Sequence, residues 1–425
     1  MEESLYMACP PSPHLNFVRF WTGQTIAQFG TRLASVAMPV VAVQYLHASP
    51  SQLGVLNAAS TAAFLLIGLP AGAWVDRWLK RRTLITANAA RCAAAVIIPL
   101  LWTAGVLQVW HLYLVAVVIG VASVFFDVAY QSYIPILVPD GEVGLANSRL
   151  ETTAQLATTG GPALGGLLMK IISAPLVMLT DAVGYAVSLL FFLRVQDDET
   201  ASRARDPRAS SALWSDIGEG LSYVWRQPAI RRITACTGIS NLCATVVATV
   251  MPLLVLRELA LGPFTLGLVL TCGSAGGAVG AWLTPRLRRR LTASQLVVGA
   301  NVLAILFYLS NPLAAILGPD HPLLATCVLC VGQSGTMAAM LGYNITQVSL
   351  RQILCPRPLL GRMNASIRFI VGGVIPLSAM LSGWLAGHLG IATTMLLGGL
   401  GGLVAVVPVL RLGRHIPKEF NATTR

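Results

Sequence analysis

A chain of 425 residues is long enough for several soluble domains, but 55% hydrophobic against 11% charged residues leaves too little polar surface to cover them. Mean hydropathy is +0.70 and is spread along nearly the whole length, so lipid is the expected solvent, and the composition argues against nucleic-acid binding, secretion and a disulfide scaffold. The net charge of +12 is almost all guanidinium, because lysine stands only at Lys80, Lys170 and Lys418.

The first sixteen residues are polar and Pro-rich, carry Glu2 and Glu3, and have no basic stretch, which predicts a tail without a cleavable signal. Apolar helices are then predicted at 17–46, 52–75, 83–105, 109–135, 150–170 and 176–194, and after a polar linker at 195–231 again at 232–257, 264–285, 292–310, 322–347, 365–387 and 391–411, with 412–425 as a second tail. The expected fold is therefore an all-α membrane protein with twelve transmembrane helices in two six-helix bundles, 17–194 and 232–411. With the N-terminus placed inside, Arg and Lys crowd the inner loops; only Lys170 and Arg257 fall outside, and Arg32, Arg91 and Arg368 fall within spans. That bias puts both termini in the cytoplasm and the net charge against anionic lipid. Most cysteines lie inside spans, so no disulfide is expected. Cys327 and Cys330 make a CxxC that reads as apolar packing.

The two bundles repeat one another. Residues 37–54 align without gaps to 250–267, a shift of 213 positions. Gly72, Ala73 and Trp74 followed by Lys80, Arg81 and Arg82 recur, at a shift of 208, as Gly280, Ala281 and Trp282 followed by Arg288, Arg289 and Arg290.

Ionisable groups inside spans are the best pointers to function, because each costs about 2.5 kcal/mol or more unless paired or hydrated. Asp127 and Arg91 sit at similar depth, so Asp127 reads first as the buried partner of Arg77 or Arg91 and otherwise as a proton carrier. Glu151 at a helix start and Asp181 near an outer helix end read first as structural, with charge relay as their other role. Gln24, Gln28 and Arg32 form one polar stripe on the first helix, matched 213 positions later by Thr237, Asn241 and Thr245. Gln155, Asn344 and Gln347 are further candidate substrate donors. Arg32 shares its helix with no acid, which predicts an anionic or strongly hydrogen-bond-accepting substrate. No H-E-x-x-H and no Gly-Lys pair occurs, so neither a zinc hydrolase nor a P-loop pump is expected, and no cofactor or metal is assigned.

Gly72, Asp76, Arg77, Lys80 and Arg81 resemble the loop motif G-x-x-x-D-R-x-G-R-K of the major facilitator superfamily, with Leu79 in place of the second glycine. Gly161, Pro162, Gly165 and Gly166 resemble the G-P-x-x-G-G part of its antiporter motif, with Ala157 where a leading glycine stands. The run from Asp127 through Pro139 to Asn147, and Gly361, Arg362 and Met363, are similar to the branch holding bacterial siderophore exporters and macrolide efflux proteins. The resemblance implies a secondary transporter, not an enzyme, working as a monomer in the bacterial inner membrane. It further implies export of a drug, siderophore or secondary metabolite by alternating access against proton entry. An importer or a lysophospholipid flippase shares the fold and is the alternative. In such a transporter Asp76 would cap the helix that begins near Asn364 and gate the inner side with Arg77 and Asp127.

Overall fold

In the computed structural model, described over residues 13–195, 213–356 and 359–415, every element is helical. The first half comprises α1 (Pro13–Val40), α2 (Pro50–Arg77), α3 (Lys80–Thr103), α4 (Val109–Leu137), α5 (Val143–Leu168) and α6 (Leu179–Leu193). A linker helix α7 (Leu213–Arg226) leads into α8 (Pro228–Leu253), α9 (Gly262–Leu287), α10 (Ala293–Tyr308), α11 (Pro322–Leu354), α12 (Leu360–Leu389) and α13 (Ile391–Val406). Eleven segments are long and apolar enough to cross a membrane, and α5 is the twelfth crossing, more polar and packed between α1 and α9. The protein is a multi-pass membrane protein. Successive crossings alternate in direction, so the start of α1 and the end of α13 lie on one face, called here the terminal face, and the other is the distal face.

The repeat extends to the backbone. Both α1 and α8 end in a π-helical turn, Val41–Tyr45 and Leu254–Glu258, and after each turn a non-glycine residue takes a left-handed conformation, His47 at φ 49° and Ala260 at φ 50°. Both features recur at the shift of 213 positions read from the sequence. Side chains repeat as well: Arg19 donates to Arg194 O at 2.7 Å and Arg232 to Pro408 O at 3.0 Å, so in each half a guanidinium on the first crossing satisfies carbonyls ending the last one. The basic loops do not repeat as expected. Lys80, Arg81 and Arg82 open α3, whereas Arg288, Arg289 and Arg290 form a turn before α10 starts at Ala293. The shift of 208 aligned residue types, not structural positions.

One apolar cluster seals the distal side and draws on both halves, with Val36, Val40 and Leu53 packed in it alongside Val250, Leu254 and Leu266. Toward the terminal face the cores are separate, one around Phe20, Tyr133 and Phe192 and another around Ile233, Val297 and Val409. The halves also touch through small residues: a Cβ on Gly54 of α2 would lie 2.6 Å from Ala379 O of α12, and one on Gly166 of α5 would lie 2.9 Å from Phe264 Cα of α9. Without a hydrophobic force to drive helices together in lipid, such backbone approach is what holds them.

The linker is not uniformly extended: α7 lies within the stretch read as linker, and α8 begins four residues before the predicted 232, at Pro228. Val224 of α7 is buried, Tyr223 donates to Leu354 O at 3.1 Å and Glu219 pairs with Arg362, while Leu221 and Trp225 face outward. The tails, beyond α1's first residues and past residue 415, lie outside the described residues.

Candidate functional site

A cavity of 580 Å³ is walled by α1, α2, α4 and α6 of the first half and by Gly372 and Ile375 of α12. Asp181, only 5% exposed, stands on its wall. The Thr31 hydroxyl donates to Asp181 Oδ1 at 2.7 Å and lies 3.1 Å from the Tyr185 hydroxyl. Tyr185 follows Asp181 by four residues and so shares its helix face; the sequence carried that spacing signal for Tyr185, but nothing marked Thr31.

Arg91 is buried, with its guanidinium carbon 4.2 Å from the centre of the Phe126 ring and 5.4 Å from that of Tyr185, and its Nε has no hydrogen-bond partner. The expectation that Asp127 is the buried partner of Arg77 or Arg91 is corrected here. Asp127 is exposed on the cavity wall, Arg77 is exposed at the end of α2, and among the described residues no ion pair joins Asp127 to either. The reason lies in helix geometry: neighbouring side chains diverge by about 100°, and α4 turns Phe126, not Asp127, toward α3, so the cation meets an aromatic face.

Arg32 is exposed, abuts Gly161 of α5, and has no carboxylate partner among the described residues. Gln24 and Gln28 are half-buried two turns and one turn before it, Gln24 Oε1 is without a partner, and the same face continues through Ser35 into the 580 Å³ cavity. In the second half Asn241 and Asn344 line a pocket of only 40 Å³, room for one or two waters. Thr237, one turn before Asn241, is spent on a 2.6 Å hydrogen bond with the Tyr343 hydroxyl, and Thr245 is half-buried outside that pocket. Gln155 donates to Glu151 at 2.7 Å on an exposed face of α5, and Gln347 is buried inside the second half with Oε1 unpartnered. Neither Gln155 nor Gln347 lines any of these cavities. The pocket instead recruits Ser240, which donates to Asn301 at 2.9 Å, two residues with no sequence signal.

Of the loop-motif residues, the side chain of Asp76 lies outside the described residues, and a Cβ on Gly72 would meet nothing within 4 Å. Lys80 opens α3, and Arg81 donates to Phe192 O at 3.3 Å and Leu193 O at 2.9 Å, joining Arg19 at the end of α6. The glycines of α5 are contact points: Gly161 and Gly165 admit Arg32 and Leu33 of α1, and Gly166 admits Phe264 of α9. Pro162 does not interrupt α5, which is helical from Val143 to Leu168. Pro162 lacks the N–H that would bond Thr158 O, and Ser274 of α9 supplies the missing donor at 3.2 Å. Next to it, the Ala163 N–H donates to Thr271 Oγ1 at 3.0 Å. The proline thus exchanges a bond within one helix for a bond between halves.

Comparison with known proteins agrees with this architecture. The chain is 27% identical over 404 residues to the multidrug efflux pump Tap of Mycobacterium tuberculosis, covering 91% of this chain and 92% of that one. It is 22% identical over 177 residues to macrolide efflux protein A of Streptococcus pyogenes, covering 41% and 43% of the two chains. In fold it matches a bacterial homologue of the human lysosomal transporter Spinster, solved inward-facing and unoccupied, with a TM-score of 0.71 at 14% identity over 98% of this chain and 100% of that one. A family model described as transmembrane secretion effector matches residues 8–422, and the chain belongs to that family of major facilitator superfamily transporters.

Proposed function

We propose that the protein exports amphipathic organic compounds across the bacterial inner membrane by alternating access, with protons entering as substrate leaves. The observation that carries this reading is Asp181: a carboxyl buried in the membrane, hydrogen-bonded to Thr31, without an ion pair among the described residues, on the wall of a cavity that the second half helps to close. A carboxyl without an ion-pair partner on a substrate-sized cavity within the membrane is a group that can take up and release a proton as the contents of the cavity change, which is what exchange of a proton for a substrate requires. Asp127 on the same cavity, with Arg91 nearby, is read as its relay, and Glu151 as peripheral. Gln24, Gln28 and Arg32 are read as substrate contacts, and Asn241 and Asn344, whose pocket is too small for a substrate in this state, as contacts in another state of the cycle. The Arg and Lys bias assigns the terminal face to the cytoplasm, so the sealed distal side faces out. Efflux by Tap and by macrolide efflux protein A, as their names state, supports the outward direction.

The test uses everted membrane vesicles loaded with the protein. Accumulation of a lipophilic dye should appear when a proton gradient is imposed and vanish with an uncoupler. Asp181→Asn should abolish gradient-driven accumulation while leaving protein levels in the membrane unchanged. Accumulation indifferent to the gradient, or unaltered by Asp181→Asn, contradicts proton antiport, and dye movement in the opposite sense would make the protein an importer.

A further inference from the structure

A second cavity of 470 Å³ lies between the halves, walled by α2 and α4 on one side and α12 on the other. It shares Phe64, Val124, Asp127 and Gly372 with the 580 Å³ cavity, so the two adjoin. Its walls carry opposite charges from opposite halves: Asp127 on α4 and Arg368 on α12. Both are exposed to this space, and among the described residues neither is in an ion pair. Counted along their helices, Asp127 lies about 15 Å and Arg368 about 12 Å from the terminal ends of α4 and α12, hence at nearly one depth. Phe64, Tyr130 and Phe369 line the space with them.

We infer that this cleft is a binding subsite for a zwitterionic amphiphile, its cationic group toward Asp127, its anionic group toward Arg368 and its ring or chain against Phe64, Tyr130 and Phe369. Two unpaired charges within a membrane span need matching or hydration. A purely cationic ligand matches the carboxylate and leaves the guanidinium without a partner, and a purely anionic ligand does the reverse. The volume suits one drug-sized molecule, for which cavities of about 300 to 1,000 Å³ are usual. The inference rests on the export reading for its biological meaning, but binding is measurable without transport.

Two dyes with one ring system separate the cases. Rhodamine B carries a carboxylate beside its delocalised cation, and rhodamine B ethyl ester keeps the cation with that carboxyl esterified. Fluorescence polarisation with the full chain in lipid nanodiscs should show rhodamine B bound about tenfold tighter than its ethyl ester. Arg368→Gln should remove that preference by weakening rhodamine B alone, and Asp127→Asn should weaken both dyes. Equal binding of the two dyes, no binding of rhodamine B, or indifference to Arg368→Gln overturns the proposal. So does a dye-free result in which each single variant lowers the unfolding temperature and the double variant recovers it, because Asp127 and Arg368 would then be partners of one another. If the preference holds but neither dye moves in vesicles under a proton gradient, the export reading fails and the subsite stands; if the ethyl ester is exported while both dyes bind alike, the subsite fails and export stands.

Discussion

Glycines in this chain serve two purposes, and single substitutions separate them. A Cβ on Gly165 would run into the backbone of Leu33, whereas one on Gly72 meets nothing. Gly165→Ala should therefore destabilise the detergent-solubilised protein by about 1 to 3 kcal/mol in thermal unfolding, the usual range for overpacking. Gly72→Ala should leave the unfolding temperature unchanged and slow transport, since space that is open here closes only if α2 approaches another helix in a different state of the cycle. Equal unfolding shifts for the two would show that the motif glycine is structural after all. Arg32 invites a similar separation. It lacks a partner among the described residues, so Arg32→Gln should raise the apparent KM for an anionic substrate without lowering the unfolding temperature. Loss of stability in that variant would mean that the guanidinium holds α1 in place and does not serve the ligand.

At the scale of the element, α5 shows how a helix-breaking residue becomes an interhelical contact. The bond from Ser274 to Thr158 O exists because Pro162 cannot make the helical one. Ser274→Ala should cost about 0.5 to 1.5 kcal/mol, the range for a typical hydrogen bond. In a Pro162→Ala background the same change should cost nearly nothing, because Ala at 162 restores the N–H that Thr158 O needs. The measurement is a double-mutant cycle on unfolding temperature, and additive effects would refute the exchange. The linker helix makes a weaker tie. Its pair between Glu219 and Arg362 is exposed and contributes little, while buried Val224 carries the packing against α8 and α12.

For the molecule as a whole, the distal seal is the feature that the proposed alternating-access cycle has to break. Arg257 of the second half donates to Ala48 O of the first at 2.8 Å, above the apolar cluster that joins the halves. A hydrogen bond from a charged donor contributes about 1.5 to 3 kcal/mol, enough to move a two-state equilibrium by roughly tenfold to a hundredfold. Arg257→Gln should accordingly open the distal side more often. In a cysteine-free background, a cysteine placed at Met38 on the cavity wall should react faster with an impermeant thiol reagent added from that side. An unchanged labelling rate would show that the apolar cluster alone keeps the seal.

How much was legible in advance follows from the range of each interaction. Hydropathy and the repeat determined the twelve crossings, the two halves and even the register at which π-turns and left-handed residues recur, because in lipid each helix must satisfy its own backbone and so declares itself locally. Intramembrane charges were also visible one by one. Their partners were not. Whether Arg91 met Asp127 or Phe126 depended on the rotation of α4 about its axis, which the mostly apolar sequence of that helix leaves open and packing against α3 decides. The hydrogen bond of Thr31 to Asp181, the bond of Ser274 to the carbonyl orphaned by Pro162, and the facing of Asp127 and Arg368 across one cavity join residues more than 100 positions apart. Such pairings leave no periodic trace along the chain, and only the assembly of the two halves produces them.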